Sequence, residues 1–192
     1  MSQSKRDIPI EDLRVEVRTF SLKYLDAVIA FADALPVNDL QFLPRDTKNP
    51  NNVENWLESI KNRSIMSFIA LEGDKVVGAS AIVRKLRGWS SHVAEIRIVV
   101  RDEMRDRGLG RRLLKHSFAE AVEAGAEKLV GQMTSEKKGA MAVFSSMGFE
   151  REAVLRNQVR DSGGKLHDLV IYSYHVSHPN DDGTALGYSE IY

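Results

Sequence analysis

The segment Met104-Arg-Asp-Arg-Gly-Leu-Gly-Arg-Arg-Leu-Leu114 sets two glycines among arginines where an apolar helical pattern begins. The first backbone N–H groups of a helix have no intrahelical acceptor, and the helix dipole adds about half a positive charge there. Gly108 and Gly110 let the chain approach an anion closely and adopt positive φ. Arg105, Arg107, Arg111 and Arg112 add charge. The chemistry this suits is the cradling of a phosphate. Spacing argues against two common versions. No Gly-Lys-Ser/Thr follows, as a triphosphate loop needs, and Leu113 stands where a dinucleotide fingerprint needs its third glycine. From this stretch alone, a tight strand-to-helix turn with solvated arginines is the plain structural alternative.

Other chemistries are narrowed by what the chain contains. Cysteine is absent, which removes disulfides, thiolate metal sites and a cysteine nucleophile, so acyl transfer through an enzyme thioester is ruled out. His92, His116, His175 and His178 show no metal-binding spacing, and no metal site is expected. His167-Asp168 suggests an oriented base. Ser145-Ser146 lacks a nucleophile elbow and reads as helix surface.

The elements that would position the turn follow from periodicity. Leu13 to Thr19 alternates as a half-buried strand. A helix follows, capped by Ser21, with Leu22, Leu25, Val28, Ile29 and Ala32 on one face. After a loop containing Pro44 and Pro50, Asn51 or Asn52 caps a second helix with a stripe of Val53, Trp56, Leu57 and Ile60. That loop is a candidate lid or substrate wall. Met66 to Leu71, a Gly73-Asp74 turn, Val76 to Val83 and Val93 to Val100 form a meander. Beyond the glycine turn, Leu109, Leu113, Phe118, Ala121 and Val122 make a helical stripe stopped by Gly125. Lys128 to Met133 is a strand, Ala140 to Met147 a short helix ending at Gly148, and residues 152–160 and 166–176 a hairpin. The order β-α-α-β-β-β-α-β-α-β-β is an α+β sheet with packed helices.

With 192 residues, 43% of them hydrophobic, the chain suits one globular domain. We expect a flexible N-terminus over residues 1–10, the domain over 11–176 and a loose tail over 177–192. Lysine plus arginine balances aspartate plus glutamate at 27 each, so no overall field favours nucleic acid or an anionic membrane, and neither is an expected partner. No apolar run is long enough to span a bilayer and the N-terminus lacks a secretion signal, so a cytoplasmic location is the default expectation.

Arg105-Asp-Arg-Gly-Leu-Gly110 resembles the Arg/Gln-x-x-Gly-x-Gly/Ala turn of the GNAT acyl-CoA-dependent N-acyltransferase superfamily. The resemblance spans roughly residues 13–176 and includes the element order, Ala94-Glu-Ile-Arg-Ile-Val-Val100, Leu113-Leu114 and Ala140-Met-Ala-Val-Phe-Ser-Ser-Met-Gly-Phe149. It implies a central mixed, mostly antiparallel sheet flanked by helices, and acetyl-CoA as cosubstrate. By position, the backbone of Arg105, Asp106, Arg107, Gly108, Leu109, Gly110 and Arg111 would clasp the coenzyme A pyrophosphate. Val99 and Arg101 would hydrogen-bond the pantetheine arm as an added strand, and an N–H near Val99 or Val100 would meet the acyl carbonyl.

The same resemblance places the general base at Glu95. An alkyl amine of pKa about 10.4 is neutral in only about one molecule in a few thousand at pH 7, so a base is needed. Glu95 also shares a strand face with Arg97, and a simple surface ion pair is the alternative. Two positions depart from the family pattern: Phe144 stands where a thiolate-protonating tyrosine is usual, and Lys137 where an asparagine often contacts pantetheine. Direct attack of amine on thioester in a ternary complex is expected.

The Ala94 to Asp102 segment looks most like bacterial protein-lysine acetyltransferase domains, which puts protein lysine first among acceptors. Polyamines, amino acids, aminoglycoside-like drugs and protein N-termini remain open, with Trp89, Phe42 and Tyr172 as candidate cleft residues. A homodimer through the C-terminal hairpin is a family-level expectation. A non-catalytic acyl-CoA sensor is the alternative function.

Overall fold

Alternation and helical stripes resolve into thirteen short elements in a computed structural model that describes residues 14–36, 43 and 49–176. The expected flexible N-terminus, the loose tail, most of the Pro44-containing loop, Phe42 and His178 lie outside the described residues.

Strands β1 (Val15–Thr19), β2 (Ile65–Glu72), β3 (Lys75–Arg84) and β4 (Val93–Val100) form an antiparallel run. Strand β5 (Lys128–Thr134) joins β4 in parallel, and β7 (Leu166–His175) lies between β5 and the edge strand β6 (Glu150–Arg160). The resulting sheet has seven strands in the order β1-β2-β3-β4-β5-β7-β6. This is the mixed, mostly antiparallel α+β architecture expected.

Alternation along the strands sends side chains to two apolar layers. Helices α1 (Leu25–Asp33) and α2 (Pro50–Lys61) cover one face, where Phe31 and Trp56 meet Ile69, Ala79, Ala81 and Val99. Helices α3 (Leu109–Glu123) and α4 (Lys138–Ser146) cover the other, where Leu114, Phe118 and Phe144 meet Phe68, Ile96, Leu129 and Val170. Gly78 lets α3 come close: a Cβ there would lie 3.1 Å from Leu113 and 3.3 Å from Leu109.

Local details differ from expectation at two helix starts. Leu22 is not in the buried stripe; it is exposed in a 3-10 turn, Leu22–Tyr24, and Ser21 makes no side-chain cap. The α2 cap is Asn49 rather than Asn51 or Asn52: its side chain accepts from the Asn51 N–H at 3.1 Å, with Pro50 at the first helical position. Proline favours that position because its missing donor is not needed there.

Gly131 on β5 is fixed by packing rather than by a turn. A Cβ at this position would sit 2.2 Å from the Phe144 ring, which itself stacks edge-on against Phe149 at 5.0 Å. Gly131→Ala is therefore expected to lower unfolding free energy by about 1–3 kcal/mol, the usual cost of overpacking, as read by denaturant titration. An unchanged midpoint would mean that Phe144 moves aside freely.

Candidate active site

The parallel ladder between β4 and β5 has only three rungs: Val93 with Lys128, Ala94 with Leu129 and Glu95 with Val130. Beyond Glu95 each strand follows its antiparallel neighbour, β4 staying with β3 as far as Val100 and β5 with β7 as far as Thr134. The strands part, and a cleft of about 470 Å³ opens between them. Residues 96–100 and the turn after β4 form one wall; Gln132, Met133 and residues 136–140 with Val143 and Phe144 form the other.

The free edge of β4 is assigned by register. The Arg101 N–H donates to the Val77 carbonyl on β3 at 3.0 Å. Backbone groups in a strand alternate sides, so Val99 also faces β3, and it is Ile98 and Val100 that present N–H and C=O to the cleft. This corrects the expectation that Val99 and Arg101 would pair with a pantetheine arm. The Arg101 side chain is likewise engaged elsewhere: Nε donates to the Val76 carbonyl at 3.0 Å and the guanidinium lies 5.2 Å from the Phe31 ring centre.

At the mouth of the cleft, a short 3-10 turn (Asp102–Met104) leads through Asp106 and Gly108, both at positive φ (58° and 79°), into α3. Gly108 is the N-cap and no side chain caps the helix. The first helical bond runs from the Arg112 N–H to the Gly108 carbonyl, so the N–H groups of Leu109, Gly110 and Arg111 precede it. A Cβ on Gly110 would meet nothing within 4 Å. Arg105, Asp106, Gly108, Gly110 and Arg111 line the cleft; Leu109 lines the core, 1% exposed, and offers only backbone. Arg105 pairs with Asp102 at 2.8 Å. Arg112 is not part of the cradle, since it donates to the Val15 carbonyl at 2.6 Å and ties β1 to α3. Arg107 is exposed and outside the lining.

These features suit a phosphate-bearing group. The first N–H groups of α3 lie at the mouth, Gly110 leaves room for close approach, Arg111, Lys137 and Lys138 are in the cleft lining, and the volume falls in the range of small-molecule sites.

Glu95 stands at the last rung, where the strands part. Its carboxylate is held two-pronged by Arg97, Nε to Oε1 at 2.8 Å and Nη2 to Oε2 at 2.9 Å, with side chains 19% and 27% exposed. Arg97, not Glu95, lines the cleft. Two bonds still leave lone pairs on the carboxylate for an amine or its water. Phe144, 4% exposed, brings an apolar ring to the far wall and no hydroxyl. Of the aromatic candidates, Trp89 is fully exposed in the β3–β4 loop and Tyr172 is buried in the core; neither lines the cleft.

Nothing in the sequence singles out Glu136. It lines the cleft and bonds His167, which in turn bonds Asp161. Its polar loop carries no local signal, because the partner lies 31 residues away across the β5–β7 register.

Residues 31–149 match the family model described as Acetyltransferase (GNAT) family. N-alpha-acetyltransferase 30 of Xenopus laevis is 26% identical over 121 residues, 59% of this chain and 42% of that protein, so the chain spans less than half of that relative's length. Among solved structures, an acetyltransferase of the GNAT family from Streptococcus pneumoniae superposes with TM-score 0.71 at 19% identity, covering 85% of this chain and all of the other. A proposed acetyltransferase of Salmonella typhimurium, solved with its cofactor acetyl-CoA, gives 0.70 at 19% identity over 89% and 99% of the two chains.

Proposed function

The chain belongs to the acetyltransferase (GNAT) family, and on that premise we propose that it moves an acetyl group from acetyl-CoA to a primary amine by direct attack in a ternary complex. The observation that carries this is the three-rung β4/β5 ladder opening into a cleft with the uncapped start of α3 at its mouth.

When bound, acetyl-CoA supplies an activated acyl carbonyl. The N–H groups of Leu109, Gly110 and Arg111 would hold its pyrophosphate, with Arg105, Asp106 and Gly108 shaping the turn and Arg111 and Lys137 adding positive charge. Ile98 and Val100 would bond the pantetheine amides along the open edge of β4. An N–H of that edge would also stabilise the charge that develops on the acyl oxygen. Glu95 would take the proton of the attacking amine, directly or through water, while Arg97 fixes its orientation. Phe144 supplies no proton to the departing thiolate. A thiol of ordinary pKa, about 8.5, leaves as thiolate near neutral pH without one.

The proposed acceptor is a protein amine. The β4 sequence favours a lysine side chain, as argued above, whereas the curated relative is named for α-amino groups. Free thiol release should therefore be followed over lysine peptides, peptides with free N-termini and polyamines, alongside stabilisation by acetyl-CoA. Release with a protein amine is expected. Stabilisation without release from any amine would favour the acyl-CoA sensor, for which the missing phenol at Phe144 speaks; failure to bind any CoA ester would overturn both readings.

A further inference from the structure

His167 bridges two carboxylates at a point away from the Glu95–Arg97 pair. Its Nδ1 lies 2.9 Å from Glu136 Oε1 and its Nε2 2.8 Å from Asp161 Oδ2, and the side chain is only 14% exposed. Three separate segments meet there: the start of β7, the β6–β7 turn and the β5–α4 loop that walls the cleft. Neutral imidazole carries one N–H and one lone pair, so only the imidazolium can donate to both carboxylates.

The two carboxylates differ in how firmly they are held. Asp161 Oδ1 also accepts the N–H groups of Gly163 and Lys165, each at 2.9 Å, and the side chain is 23% exposed. Glu136 is 54% exposed and sits in the cleft wall. Loss of the imidazole proton leaves one carboxylate facing a lone pair. Glu136, the more solvated one, then keeps only its own backbone N–H and Thr134 as partners.

We infer that His167 is a positioning residue for the cosubstrate cleft: protonated, it pins Glu136 in the β5–α4 wall and offsets the Glu136 charge in the cleft that the start of α3 also lines. Deprotonation loosens the wall at Glu136, while the Ser135 N–H bond to the Asp168 carbonyl at 3.1 Å stays, and leaves an uncompensated anion; each effect weakens binding of an anionic ligand. The inference rests on the acetyl-CoA reading of the cleft.

The titration favours such a device. Hydrogen bonds to Glu136 first and Asp161 second raise the His167 pKa above its ordinary value. Glu136 is held at about 2 by hydrogen bonds from His167 first, and then from its own backbone N–H and Thr134; His167 first, with the Lys165 and Gly163 N–H groups, lowers Asp161. For a raised histidine the latch is complete below its unfolded pKa and is lost as pH rises through the folded one; for lowered carboxylates it is lost only as pH falls through their depressed values. The latch therefore holds from acid pH up to the raised His167 pKa and opens above it. Other charges near the turn are engaged separately: Arg160 donates to the Gly164 carbonyl at 2.7 Å, and Asp168 accepts the Asn157 N–H at 2.9 Å. On β6 the residue opposite His167 is the uncharged Val159. Lys137 and Lys138 follow Glu136 in the cleft wall, and Lys165 follows the turn.

Acetyl-CoA affinity should be measured by calorimetry from about pH 6 to about pH 9 for the full chain, His167→Gln and Glu136→Gln, with melting curves for each. Wild-type affinity is expected to fall by about fivefold or more across this range, appearing in KM for acetyl-CoA rather than in kcat. Both variants should lose that dependence and keep only the ligand's own phosphate titration. Parallel pH profiles for wild type and either folded variant would overturn the inference. No acetyl-CoA binding by wild type at any pH would instead overturn the acetyl-CoA reading. A histidine NMR titration, assigned through His167→Gln, must show a pKa above about 6.5; a lower value also overturns it.

Discussion

Gly110→Asp is expected to make the protein more stable and nearly unable to bind acetyl-CoA. Gly110 is in the first turn of α3, at ordinary helical φ, and a Cβ would touch nothing within 4 Å. The fold has no need of a glycine there. Aspartate gains about 0.3–1 kcal/mol from the helix dipole and removes the flexibility cost of glycine. The same carboxylate would face the incoming pyrophosphate across the cleft, and like charges brought together cost several kcal/mol, so affinity should drop by about a hundredfold or more. Chemical denaturation and calorimetric titration read the two effects separately. Their opposite signs exclude misfolding as the cause. Unchanged affinity would show that the α3 N-terminus is not the phosphate site. Gly108 offers no such separation, because its φ of 79° is needed by the backbone itself.

Glu95→Gln is expected to reduce kcat/KM for a lysine acceptor by about 10²–10⁴ near neutral pH while leaving acetyl-CoA affinity unchanged. Glutamine keeps the shape and can still accept from Arg97, so the vertex of the cleft should survive. The size of the loss also reports the acceptor. A lysine amine, neutral in about one molecule in a few thousand at pH 7, depends heavily on a base; an α-amine of pKa about 7.8 is already neutral in about one in seven and depends on it far less. For lysine the deficit should shrink as pH rises toward the amine pKa. A rate unaffected at every pH would leave the Glu95–Arg97 pair as structure alone and move the base role elsewhere.

The parts legible in the sequence were those with local causes. Alternation in residues 93–100 and the change to helical period at Leu109 gave β4 and α3, and the glycines between them gave the turn. Arg101 and Arg112 were not legible as structural residues, since their carbonyl partners at Val76 and Val15 lie 25 and 97 residues away. The open edge of β4 depended on parity: which of Val99 and Val100 faces the cleft is set by pairing with β3, and a one-residue difference reverses it. Glu95 and Arg97 were legible as neighbours on one face. That they grip each other through two bonds depends on side-chain rotamers, which alternation does not set.

The three-rung ladder has a mechanical meaning as well. Strands β1 to β4 and strands β5, β7 and β6 are two half-sheets joined by backbone bonds along a short seam only, and held together by the apolar layer under α3 and α4, where Leu114 and Phe118 meet Leu129 and Val170. A ligand lying along that seam, bonded to the bare edge of β4 and walled by the β5 side, would serve as a removable structural member. Its saturation would then add rigidity as well as reactivity: at about a hundred times its dissociation constant it contributes about 2.7 kcal/mol to the folded state. Amide hydrogen exchange at Ile98 and Val100 would slow in proportion. The protein would be stiffest when charged for catalysis and most compliant between turnovers.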